Sequence, residues 1–261
     1  MSASTTVTPA ARRFSRAAGH YDSAAALQRE VAEALLARLP DRLSPQQVLD
    51  AGCGTGFVTR ALAERYPGAD VTGLDMASGM LAQAGRTHQG LAVKWRQGDI
   101  RALAASDASL DLLVSSMTLQ WCESPAPFLN EAARVLRPGG VLAFTTLLTG
   151  SLAELAAAEP GAVNAFIAPA SLDALLGGGP FTVLASTDRC HVRFYDQPMA
   201  LLRALSATGA TTLTASQRRG LAGRRRLARL VEGLERARTG QGIPMRWQVA
   251  CRVLERREAA P

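Results

Sequence analysis

Residues 49–56 read LDAGCGTG, with three glycines in five positions. They end the short run QQVLDA (46–51) and precede FVTRALAERY (57–66), so the glycines occupy a strand-to-helix turn. Glycine adopts backbone conformations closed to other residues, which lets N–H groups and the following helix N-terminus face an anionic group. The spacing Gly52-x-Gly54-x-Gly56 is not the dinucleotide fingerprint G-x-G-x-x-G, because that pattern needs glycine at 57, where Phe57 stands.

The same alternation continues downstream. ADVTGLD (69–75) reads as a second strand, residues 78–86 as a helix, LAVKWRQ (91–97) as a short third strand and LDLLVSS (110–116) as a fourth. Residues 125–136 supply the next helix, which stops at Arg137-Pro138-Gly139-Gly140 and leads into VLAFTTLL (141–148), a fifth strand. Upstream, Leu27, Val31, Leu35 and Leu39 recur every four residues and predict an amphipathic helix over 23–39. Nearly continuous apolar strands alternating with helices predict a parallel sheet covered on both faces, with ligands at the carboxyl ends of its strands. Residues 149–180 are rich in Ala, Gly and Pro. FTVLASTDRCHVRFYD (181–196) then reads as a long strand and RWQVACRVL (246–254) as a late one with an exposed face.

Three acids fall at successive strand ends. Asp75 closes the second strand, 23 residues after Gly52, where a carboxylate can accept both hydroxyls of a ribose. Asp99, in Gly98-Asp99-Ile100, follows the third strand, where it can accept from an adenine amine, and Asp50 at the end of the first faces a ligand ammonium or braces the turn. A ligand with adenine, ribose and an amino-acid end, but no pyrophosphate, fits these groups: S-adenosylmethionine. LDAGCGTG, GLDMASGML (73–81), GDI (98–100) and RPGG (137–140) resemble the class I S-adenosylmethionine-dependent methyltransferases. The resemblance implies a Rossmann-like α/β fold: a mostly parallel seven-stranded sheet, helices on both faces and an antiparallel last strand. It adds Met76, Ile100 and Ser115 to the expected cofactor contacts.

Methyl transfer from a sulfonium is an in-line displacement, so the acceptor must be aligned, and one of high pKa also needs a base. Where amine methyltransferases commonly carry an Asn/Asp-Pro-Pro-Tyr/Phe turn, this chain reads Ser115-Ser116-Met117-Thr118, and His20, His88 and His191 form no visible dyad. A carboxylate acceptor, ionised at neutral pH, needs no base. The flanks ARRFSRAAGHYD (11–22), LQWC (119–122), FTTLLTGSLAEL (144–155) and LSATGATTL (205–213) resemble the malonyl-acyl carrier protein O-methyltransferases of early biotin synthesis. That resemblance implies esterification of the free carboxylate of malonyl-acyl carrier protein or malonyl-CoA. Such a step removes a charge that an apolar elongation pocket would have to desolvate. By position it implies that Phe14, Arg16 and Tyr21 close over cofactor and acceptor, and that Gln120 and Trp121 border the transferred methyl. Two positions depart from the family pattern: Ala165 stands where many relatives have Arg in Asn-Arg-Phe, and Trp247 where many have Tyr.

Charge is distributed unevenly. Residues 1–202 carry 16 basic and 18 acidic side chains, net −2, whereas 203–261 carry 13 Arg and 4 Glu, net +9. Arg218, Arg219, Arg224, Arg225, Arg226 and Arg229 read either as a solvated helix face or as a docking patch for an acidic carrier protein. The run lacks the interleaved aromatics that stack bases, so a nucleic-acid partner is not expected. A methyltransferase of a free small carboxylic acid is the nearest alternative. The four cysteines are scattered singly, which suggests neither a disulfide framework nor a metal site. With no apolar stretch of the ~20 residues a membrane span needs, a cytoplasmic, monomeric enzyme is expected. One domain should span the chain: an N-terminal lid and helix (1–45), the cofactor core (46–148), an acceptor-side insertion and strand (149–215), and the Arg-rich helix with the last strand (216–261).

Overall fold

The computed structural model describes residues 8–208 and 220–258. Five strands, β1 (Gln47–Ala51), β2 (Asp70–Asp75), β3 (Val93–Gln97), β4 (Leu110–Ser115) and β5 (Leu136–Leu147), pair in parallel in the order β3-β2-β1-β4-β5. Two long strands complete the seven-stranded sheet. β7 (Ile243–Arg256) lies antiparallel between β5 and β6 (Phe181–Tyr195). The expected antiparallel last strand is therefore present. Strand order reverses between β1 and β4, which opens a crevice at their carboxyl ends, where ligands of such sheets sit.

Side chains alternate across each strand, so neighbouring apolar residues serve opposite layers. Leu49, Ala51 and Leu113 pack with Phe128 and Ala132 of α5 (Ala126–Val135) and Leu172 of α7 (Pro169–Gly177). Val48, Val71 and Leu112 instead meet Leu35 of α2 (Ala26–Leu36) and Val58 and Leu62 of α3 (Phe57–Arg65). Burial on both faces explains why β4 carries Leu112, Leu113 and Val114 in succession, each buried Leu or Val contributing about 1.5–3 kcal/mol.

The N-terminal segment departs from its sequence pattern. The helix expected over 23–39 is present as α2, which buries Leu27, Val31 and Leu35, and a further helix precedes it: α1 (Pro9–Ala24), begun by Thr8, whose Oγ1 accepts from Ala11 N. The buried stripe of α1 is Ala11, Phe14, Ala18 and Tyr21, with small residues where a large apolar repeat would have revealed it. It packs on α4 (Ser78–Thr87), where a Cβ at Gly79 would lie 2.5 Å from the Ser15 carbonyl oxygen, and Gly79 N donates to Ser15 Oγ. The segment 149–180 holds α6 (Ala153–Ala158) and α7, and α8 (Pro198–Ala207) follows β6.

The Arg-rich segment forms α9 (Gly220–Arg236), which packs on α6. Its buried side is Leu230 and Leu234, and Gly233 meets α6 so closely that a Cβ there would lie 2.6 Å from Ala158 Cβ. Glycine in a helix interior normally costs about 1 kcal/mol against alanine. Here the contact reverses the sign: Gly233→Ala should lower the thermal unfolding midpoint, and a rise on calorimetry would show that α9 does not depend on this approach.

Candidate active site

The glycine turn has left-handed backbone at all three glycines, with φ of 83° at Gly52, 55° at Gly54 and 89° at Gly56. Their surroundings differ. A Cβ at Gly52 would collide with Thr118, and one at Gly56 with Trp95 and His88, whereas one at Gly54 would enter open space in the crevice. Gly56 caps α3 and supports the turn from beneath; Gly52 and Gly54 line the cavity.

Asp75 holds this turn. Its Oδ2 accepts from Gly54 N at 2.9 Å and its Oδ1 from Ala77 N at 2.7 Å, while burial raises its pKa against those two bonds. A carboxylate offers about four acceptor sites, more than these backbone bonds use, so Asp75 keeps acceptor capacity for a ligand. Asp99 lines the same cavity with Met76 and Ile100. Burial raises the Asp99 pKa, but a forked pair with Arg101 outweighs it and holds the group below the ordinary carboxylate range. Arg101 is a cavity residue that the motif reading passed over, although it directly follows GDI.

Other expected contacts lie outside the cavity lining. Asp50 is buried under the turn, where its Oδ2 accepts from Thr59 Oγ1 at 2.6 Å, so it braces α3 against β1. Burial pushes its pKa up to about 7, with the Asp75 charge adding and the Thr59 hydroxyl opposing. Ser115 is buried and donates to the Ala51 carbonyl at 2.7 Å, joining β4 to β1. Arg16 is exposed on the outer side of α1.

α1 roofs the cavity. Thr55 Oγ1 donates to Asp22 at 2.6 Å, fastening the helix to the glycine turn, while Phe14 stands edge-on to Trp121 at 5.0 Å and to Tyr21 at 6.3 Å. Burial, then the Asp75 and Asp22 charges, drive the Tyr21 pKa well above its ordinary value, so the phenol stays protonated. Gln120 donates through Nε2 to the Met117 carbonyl at 2.7 Å, which leaves its buried Oε1 unpartnered in the cavity wall. Beyond Trp121 the cavity, about 180 Å³ in all, is bounded by Met117, Leu147, Leu152, Phe166 and Trp247, one apolar cluster at the ends of β4, β5 and β7. Asn164 and Trp247 line it, whereas Ala165 is exposed. Gln28 and Thr208 also line this cavity, and no motif marked either one.

A switch-point crevice with a glycine turn and acids closing β2 and β3 defines a class I S-adenosylmethionine-dependent methyltransferase. Residues 49–144 match a family model described as a methyltransferase domain. The malonyl-[acyl-carrier protein] O-methyltransferase of Hahella chejuensis is 36% identical over 256 residues, covering 94% of this chain and 89% of that protein. The biotin biosynthesis bifunctional protein BioHC of Cellvibrio japonicus is 38% identical across 94% of this chain and 49% of its own. In fold, the crystal structure of YcgJ from Bacillus subtilis matches with a TM-score of 0.64 at 16% identity, over 87% of this chain and 99% of that one. The chain belongs to the malonyl-[acyl-carrier protein] O-methyltransferase family.

The residues present fit the methyl donor: free acceptor sites on Asp75, an open face at Gly54 and a second acid at the end of β3. Among the described residues no group of three or more His, Cys, Asp or Glu is placed to hold a metal ion, and no helix is long and apolar enough to cross a membrane. Asp75→Ala should weaken S-adenosylhomocysteine binding by roughly 10- to 100-fold, the worth of hydrogen bonds to a charged group, as titration calorimetry would read. Unchanged affinity would refute the role.

Asp50 gives a pH signature. Folded, it keeps its proton to about pH 7; unfolded, it loses it near 3.8, so the unfolded chain binds fewer protons between those values and stability falls as pH rises across that window. Asp50→Asn lacks this loss. The urea midpoint of the variant relative to the parent should climb from pH 4.5 to 7 and level off above, whereas a pH-independent difference would contradict the raised pKa.

Proposed function

We propose that the chain methylates the free carboxylate of a malonyl group carried as a thioester on acyl carrier protein, as a cytoplasmic monomer, at the start of the route in which the bifunctional relative is named. One observation carries the choice of a carboxylate. Among the described residues lining the cavity there is no histidine or lysine, and Tyr21 is held protonated, so beyond Trp121 nothing is suited to remove a proton from an acceptor. An acceptor already ionised at neutral pH needs no such group.

S-adenosylmethionine, when bound, supplies the methyl group and the sulfonium that makes it transferable. The chain's own part is positioning and exclusion of water. Gly52, Gly54, Asp75 and Asp99, with Met76 and Ile100, hold the donor; Phe14, Tyr21 and Trp121 close above it; Gln120 borders the transfer line. The Phe14–Trp121 edge contact is worth about 0.5–1.5 kcal/mol, enough to bias the roof closed without locking it.

Carrier docking falls to α9. Arg224, Arg225 and Arg229 are exposed there, whereas Arg226 pairs with Glu159 at 2.7 Å and is already engaged. Arg218 and Arg219 lie outside the described residues. Exposed arginines meet carboxylates or phosphate in two-pronged fashion and steer an acidic partner at low salt.

The test is label transfer from S-adenosylmethionine to malonyl-, succinyl- and acetyl-carrier proteins, read by mass. Label is expected on the malonyl form; label on a free small acid instead would overturn the assignment. Reversing Arg224, Arg225 and Arg229 to Glu should raise KM for the malonyl carrier protein tenfold or more, steeply dependent on salt, and leave malonyl-CoA near its parent value. Equal effects on both substrates would remove α9 from docking.

A further inference from the structure

The two ends of the cavity differ in charge. Among the described lining residues the charged side chains are Asp75, Asp99 and Arg101, all from the ends of β2 and β3, and Arg101 is neutralised by its forked pair with Asp99. The far end carries none. Its polar groups include Gln28 and Asn164, whose chain neighbours Leu27 and Val163 belong to the apolar cluster that closes this end. Neither carboxamide has a hydrogen-bond partner within the described protein, and both half-buried side chains line the cavity. Amides on a cavity wall with no protein partner keep their N–H groups free to donate to a ligand that enters.

We propose that Gln28 and Asn164 recognise the acceptor's carboxylate through their neutral amide N–H groups, and that the lack of a fixed cation beside it favours the reaction. This rests on the carboxylate reading given above. In the transfer one carboxylate oxygen forms the O–CH3 bond, the S–CH3 bond breaks and its electron pair stays on sulfur, so an anion and a cation become a neutral ester and a neutral thioether. Negative charge on the acceptor therefore falls on the way to the transition state. A guanidinium beside it would bind the ground state better than the transition state and slow the step. Amide donors orient the same oxygens with a smaller preference for full charge, since hydrogen bonds between an ion pair's partners are the stronger kind. The neutral ester that results is held less firmly than the anion, which favours its release.

The experiment compares the parent with Gln28→Met, Asn164→Leu, their double variant and Asn164→Arg. Binding of malonyl-CoA and acetyl-CoA to the S-adenosylhomocysteine complex is read by calorimetry, beside kcat and KM for malonyl-CoA. The double variant should raise KM and Kd for malonyl-CoA at least tenfold, with acetyl-CoA and S-adenosylhomocysteine affinities unchanged. Asn164→Arg should bind malonyl-CoA more tightly yet turn over more slowly. Parallel loss of both thioesters would assign the amides to the carrier arm and overturn the proposal, as would an unchanged KM in the double variant or a faster kcat in Asn164→Arg. If the parent itself transfers no methyl to malonyl thioesters, the carboxylate reading fails first and takes this one with it; parent turnover with unselective variants sinks this one alone.

Discussion

The site depends on one carboxylate. Asp75 is half-buried in the cavity wall, and drawing an ionised acid out of water is costly unless it is well bonded. The Gly54 and Ala77 amides meet that requirement, and in doing so they tie the end of β2 both to the turn that follows β1 and to the start of α4. Three elements are thus registered by one side chain. The left-handed backbone of the turn follows from this, because Gly54 N can point at Asp75 only if the chain doubles back after Gly52. Asp50 completes the support below, through Thr59, and Thr55 passes it upward to Asp22 in α1.

With the turn placed, the cavity divides by electrostatics. At one end, acids at the ends of β2 and β3 line the cavity. At the acceptor end, β4, β5 and β7 contribute an apolar cluster and neutral amides. The boundary is Trp121 with Phe14 and Tyr21 on the roof. A site that joins a cation to an anion needs such a partition, since fixed charges near the reacting atoms stabilise the separated ions more than the transition state between them.

The second half of the chain serves this division at a distance. β7 enters antiparallel between β5 and β6, which brings Trp247 to the cavity and places Arg252 deep in the sheet, paired with Asp188 and Asp173. Removing either acid would leave a buried guanidinium short of partners, a costly state. α6 and α9 then close together through Gly233, with one side of α9 apolar and the other rich in exposed arginine.

The sequence by itself determined the parallel core, the glycine turn and the placing of acids at the ends of β2 and β3, because these rest on local signals: strand period, glycine spacing and an acid at a strand end each act within a few residues. It named the family through its flanks. Only the tertiary structure separated Asp75, which lines the cavity, from Asp50 and Ser115, which brace it, since all three end strands and differ only in the face they present. It also revealed α1 as a full helix, whose small-residue stripe is legible only against Gly79 of α4. Arg16 turned out to face solvent, and Gln28 and Asn164 to share a cavity 136 positions apart in number. Residues so distant meet through packing of the whole sheet, and no spacing in the chain records that.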